Sequence, residues 1–103
     1  MSYRIERTDK ANDQLFDILT YIADDSGNVD TALHYLDKLE KAILNLHDFP
    51  YVGVQPRYST LKKQGYRVLI VERHLIFYKV DEARTLVTIY AVVDARREYR
   101  DLI

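Results

Sequence analysis

The sequence predicts an α+β domain in which a helical hairpin packs on one face of an antiparallel sheet. Three observations carry this expectation. Apolar residues recur at helical spacing in two stretches of the first half, the second half holds three runs rich in β-branched and aromatic residues, and the links within each group are short. The order reads β-α-α-β-β-β, with a short basic C-terminal tail or helix. A chain of 103 residues fits one domain spanning 1–103. Its apolar content of 48% suits a modest core and argues against disorder.

Each element follows from its local pattern. Residues 3–8, YRIERT, alternate Tyr3, Ile5 and Arg7 with Arg4, Glu6 and Thr8, as a short strand does. The period then changes: Leu15, Ile18, Leu19 and Ile22 share one face of a helix. Thr8 or Asp9 can cap its start, and Gly27 can supply the left-handed residue past its end. Asn28 or Asp30 opens a second helix, whose apolar seam runs through Ala32, Leu36, Leu39, Ile43 and Leu46. The short link makes the two helices antiparallel neighbours. His47 suits the negative end of the helix dipole, and Pro50 turns Phe49 away from helical angles.

Residues 50–65 read as a loop, holding both prolines and two of the three glycines. Strands follow at 66–72, 74–80 and 85–93. The DEAR link at 81–84 suits a hairpin, so these strands run antiparallel. With Tyr66, Val68 and Ile70 toward the helices, Arg67, Leu69 and Val71 face the open side.

Composition narrows the function classes. Without cysteine there is no disulfide framework and no thiolate zinc site. His34, His47 and His74 lack ligand spacing, and isolated glycines form no phosphate-cradling loop, so neither a metal nor a cofactor is expected. The N-terminus lacks a secretory apolar region and no run is long enough for a membrane span, so a cytoplasmic location with no membrane partner is the expectation. Net charge is only −1, but it is polarised: −5 over residues 1–50 and +4 over residues 51–103. Three arginines and a tyrosine crowd the segment Arg96–Arg100. Such a cluster is either a solvated tail or a surface that handles phosphate.

Three segments point to a family. Tyr66-Arg67 opens the first strand of the trio, Tyr78-Lys79-Val80-Asp81 closes the second, and Arg96-Arg97-Glu98 follows the third. In these features and in element order, nearly the whole chain resembles the RelE/ParE superfamily of toxins from type II toxin–antitoxin modules. The resemblance implies a cognate antitoxin that docks on the apolar surface of the helical hairpin or on a sheet edge. It also implies one of two targets. RelE-like members cut mRNA on the ribosome without a metal, whereas ParE-like members inhibit DNA gyrase without catalysis. A degenerate, non-toxic antitoxin partner is a third possibility.

The nuclease alternative is the leading expectation, with translation as the process inhibited. Metal-free RNA cleavage needs a base, a proton donor and cations for the phosphorane. The candidate catalytic residues are Arg67, Arg73, His74, Arg96 and Tyr99, with Lys62, Lys63, Arg97 and Arg100 as RNA-binding residues. Arginine suits phosphate because its planar fork offers parallel donors, and histidine titrates near neutrality. The same arginines suit an exposed strand or ion pairs with Glu98 or Asp101, and His74 suits a solvated strand edge. Many endonuclease members of the superfamily this chain resembles open the middle strand with an arginine, and here that position is Leu75, after Arg73-His74. If 94–102 forms a helical turn, Arg96 and Arg100 share a face and Tyr99 lies beside Arg96. The nine tyrosines suit base stacking or anchoring a protein partner.

Overall fold

The computed structural model describes residues 2–103. Strand β1 (Arg4–Arg7) leads into α1 (Asp9–Ser26) and α2 (Val29–Leu44), then come α3 (Ser59–Lys63), β2 (Arg67–Val71), β3 (His74–Asp81) and β4 (Leu86–Asp94). The helix ends obey local chemistry. Thr8 Oγ1 accepts from Ala11 N at 3.1 Å, so Thr8 rather than Asp9 is the cap. Gly27 takes φ 67°, and Asn28 Oδ1 accepts from Asp30 N at 2.8 Å to start α2. A 3-10 turn at Asn45–His47 extends α2 before Pro50.

The sheet order is β1-β4-β3-β2. The β2, β3 and β4 strands are antiparallel as expected, while β1 joins β4 in parallel after the helical crossover. The hairpin covers one face. Ala11 and Leu15 of α1 and Leu39 and Ile43 of α2 pack on Ile76, Tyr78, Val87, Ile89 and Val92. Ile18, Ile22 and Leu36 are only half-buried, as the limited reach of so small a sheet requires. An ion pair between Arg7 and Glu40 ties β1 to α2.

Two expectations are corrected. The segment 50–65 is not wholly loop: it contains α3, whose Leu61 is buried against Val68, Phe77 and Tyr99. The facing of β2 is also reversed. Leu69 and Val71 join the helix-side core, and Val68 and Tyr66 pack on the opposite face. That face is not open, because α3 and the C-terminal tail cover part of it. With apolar cover on both sides, the alternation along β2 carries no sign of which side holds the hairpin.

Candidate functional site

Helix α1, the end of the sheet and the C-terminal tail form a groove of about 690 Å³. Its apolar walls come from Ile18, Tyr21 and Ile22 of α1 and Val92 of β4. Arg73, His74, Arg96 and Arg97 line the same space. A second groove, of about 560 Å³, shares Ile22, Arg73 and His74 and continues toward Thr31 and Tyr35.

His74 sits at the junction and is only 6% exposed. Tyr35 Oη lies 2.6 Å from its Nδ1 and 3.1 Å from the Val71 carbonyl oxygen. One hydroxyl proton cannot serve both. The satisfied arrangement has Tyr35 donating to Val71 while His74 Nδ1–H donates to Tyr35 Oη, leaving the Nε2 lone pair available. Burial pushes the His74 pKa down from 6.5, against the pull of Asp94 and Glu72 and with help from Arg73 and Arg96. Burial, aided by Glu72, likewise raises Tyr35.

Arg96 is committed within the chain. Its Nε and Nη2 donate to the two Asp94 carboxylate oxygens at 3.1 and 2.8 Å, and its backbone N–H donates to Oδ1 at 2.8 Å. These hydrogen bonds hold the Asp94 carboxyl well below the usual carboxylate range. Arg97 and Arg73 are exposed at the groove rim.

Arg67 lies elsewhere, at the β2 edge on the helix side. Its Nη2 donates to the Tyr51 carbonyl at 2.9 Å, and its guanidinium lies 5.3 Å from the Tyr51 ring centroid. Nearby, the fully buried Tyr78 Oη accepts from Gly53 N at 2.9 Å. The 49–54 strap is thereby clamped to the sheet, and a Val54–Val68 bridge extends the clamp along β2. The Arg67 Nε is buried without a partner among the described residues.

The opposite face carries an aromatic network. Tyr99 is 5% exposed and packs on Phe77 and Tyr58, with both centroid separations 5.5 Å. Lys79 Nζ sits over the Tyr66 and Tyr90 rings at 4.5 and 5.2 Å. Arg100 stacks on Tyr58 at 4.7 Å and reaches Glu98 at 3.4 Å. Lys62 and Lys63 project from α3 and are exposed. The tail forms only a 3-10 turn at Arg100–Leu102, so Tyr99 is not beside Arg96 but beneath Tyr58.

The sequence-derived set therefore divides three ways. Arg73, His74, Arg96 and Arg97 share the groove, Arg67 secures the strap, and Tyr99, Arg100, Lys62 and Lys63 belong to the other face. The sequence reading missed Tyr35, Asp94 and Lys79 as partners. The DAR spacing hints at an Asp94–Arg96 bond, but nothing local links Tyr35 to His74 across 39 positions.

Comparison with known proteins agrees with this architecture. The family model for the ParE toxin of type II toxin–antitoxin systems matches residues 5–99. A solved structure described as the chromosomal ParDE system from P. aeruginosa is 17% identical, covering 90% of this chain and 96% of that one, with a TM-score of 0.74. The toxin–antitoxin complex RelBE2 from Mycobacterium tuberculosis is 19% identical, with coverages of 91% and 99% and a TM-score of 0.59. No match is found among curated proteins. A matched region running from β1 to the buried Tyr99 includes every strand and the helical hairpin, and on that ground the chain belongs to the ParE toxin family of type II toxin–antitoxin systems.

Proposed function

We propose that this toxin arrests growth by binding DNA gyrase and that it carries out no RNA cleavage. One observation carries the reading: of the five residues expected to perform phosphodiester chemistry, Arg67 and Tyr99 lie away from the groove that holds Arg73, His74 and Arg96, and all but the exposed Arg73 have a partner within the chain. Arg67 donates to Tyr51, Arg96 donates to Asp94, His74 Nδ1 is hydrogen-bonded to Tyr35 Oη, and Tyr99 is buried under Tyr58. In-line cleavage needs a base, an acid and a phosphate clamp around one scissile bond. The ParE family match supports the gyrase target, which is the family's ParE-like activity rather than its RelE-like one.

Ribosome-dependent mRNA cleavage has one observation in its favour, the grouping of Arg73, His74, Arg96 and Arg97 in a common groove. A paired assay separates the two. Purified toxin is added to a gyrase supercoiling reaction and to cell-free translation followed by primer extension on the message. Blocked supercoiling with intact message is expected. Cuts within translated codons with normal supercoiling would overturn the proposal.

For the cognate antitoxin we propose the sheet edge at β2 as the docking site. β2 is an edge strand, and Val54 pairs with it only at Val68. By the two-residue period of a ladder, the Ile70 N–H and C=O point outward like those of Val68. The Ile70 side chain is 63% exposed. An extended antitoxin segment that adds a strand along this edge would satisfy those groups and cover Ile70.

A further inference from the structure

We propose that the groove between α1 and the β2–β3 turn binds a mononucleotide, with its phosphate at Arg73 and Arg97 and its base against Tyr21 and Ile22. The inference holds whichever macromolecule the toxin poisons. Size comes first. At about 690 Å³ the groove falls in the range of small-molecule sites.

Charge supplies the second argument. Among the described residues the ion pairs are Arg4–Glu6, Arg7–Glu40, Lys38–Glu72, Lys41–Asp37, Arg96–Asp94 and Arg100–Glu98. Asp94 neutralises Arg96, whereas Arg73 and Arg97 enter none of these pairs. Two guanidinium groups outside these ion pairs at one rim suit the charge of about −2 on a phosphate monoester near neutral pH. Arginine forks are also the side chains best shaped for phosphate oxygens.

The third argument is the asymmetry of the walls. Ile22 is half-buried and Tyr21 is 60% exposed, so a flat apolar surface lies beside the cationic rim. An aromatic base would cover both. Asp17 stands in the same α1 wall and offers acceptors to a ribose hydroxyl or an exocyclic amine. Its charge also disfavours a ligand with anions at both ends. His74 adds a built polar element: it is 6% exposed, its Nδ1 is taken by Tyr35, and its Nε2 has no protein partner among the described residues. A ligand hydroxyl could donate to that nitrogen.

The test is calorimetric titration of the purified toxin with 5′-AMP, adenosine and inorganic phosphate. AMP is expected to bind at least about tenfold more tightly than adenosine or phosphate alone, because charge-assisted bonds add to stacking. The Arg73→Ala/Arg97→Ala variant should bring AMP down to the affinity of adenosine while its thermal melt stays unchanged. Arg84→Ala, in the exposed β3–β4 loop, should bind AMP like the parent chain. Tyr21→Ala should weaken AMP and adenosine alike. A 5′-phosphorylated trinucleotide that outbinds both AMP and its 5′-hydroxyl counterpart would place a nucleic-acid terminus in the site, and equal affinity with AMP would place a free nucleotide there. Equal binding of adenosine and AMP, unchanged AMP affinity in the double-arginine variant, or no AMP binding overturns the proposal.

Discussion

Tyr78→Phe removes one oxygen from the least accessible ring in the domain and should expose how firmly the 49–54 strap is held. Tyr78 is 0% exposed, and its Oη accepts from the buried Gly53 N–H at 2.9 Å. Phenylalanine fills nearly the same volume, so the core loses little packing. The Gly53 N–H is left buried without an acceptor, and stranding such a donor costs about 1–3 kcal/mol. For a domain of this size a loss of about 2 kcal/mol lowers Tm by roughly 10 °C. Urea unfolding followed by circular dichroism should show a lower midpoint with an unchanged slope. Gly53→Ala provides the complementary perturbation. A Cβ there would lie 2.5 Å from Tyr78 Oη, 2.8 Å from Tyr78 Cε1 and 2.9 Å from the Val68 carbonyl oxygen. In the Tyr78→Phe background the first clash disappears while the other two remain. The combined loss should therefore fall short of the sum of the single losses by about 0.5 kcal/mol or more. A loss below about 0.5 kcal/mol for Tyr78→Phe, or strict additivity of the pair, would refute the clamp.

Two further outcomes are expected. The His74 pKa is pushed down from 6.5 in the folded chain, so the unfolded chain binds the proton more readily. Its contribution is complete above that unfolded value and is lost as pH falls through it toward the folded value; urea titrations should show this fall in the parent chain, and an identical fall in His74→Gln would contradict it. At the β2 edge, Ile70→Lys should leave thermal stability nearly unchanged, because the side chain is 63% exposed, but weaken the cognate antitoxin by about tenfold or more in a direct binding measurement. Unchanged antitoxin affinity would remove this edge from the interface.

The helical hairpin was legible because its signals are local. The seam through Leu39 and Ile43, the Thr8 and Asn28 caps and the left-handed Gly27 all lie within a few residues of what they determine. The strand trio was legible for the same reason, to within about two residues at each boundary. What was not legible depends on distant partners. α3 has five residues, too short for a periodic pattern, and gains its stability from burying Leu61. The parallel seating of β1 beside β4 is set by the crossover rather than by the YRIERT alternation. The reversal of β2 has the same origin: Val68 and Leu69 are both apolar, and only the positions of α3 and the hairpin decide which way each points. At the candidate site, residue type was readable but engagement was not. Nothing near Arg67 in sequence announces the Tyr51 carbonyl, and nothing near His74 announces Tyr35.

That distinction bears on the basic tail. From sequence, the three arginines and tyrosine of Arg96–Arg100 look like one cationic, aromatic surface. In the fold they have different roles. Arg96 turns back on Asp94, Arg100 pairs with Glu98 and rests on Tyr58, and Tyr99 fills the core beneath Phe77 and Tyr58. Three other tyrosines follow the same economy, with Tyr66 and Tyr90 flanking Lys79 and Tyr51 beneath Arg67. Exposed cation–π contacts are each worth only about 0.5–1 kcal/mol. Their larger consequence is that ring faces suited to stacking on bases already meet cations of the same chain. Arg67, Arg96 and Arg100 are thus engaged in holding the strap and the tail, whereas Arg73, Arg97, Lys62 and Lys63 stay exposed and outside the ion pairs among the described residues. Arg97 is the arginine of this segment left outside the ion pairs among the described residues, and it lies across the groove from α1, where Arg73 is its cationic companion.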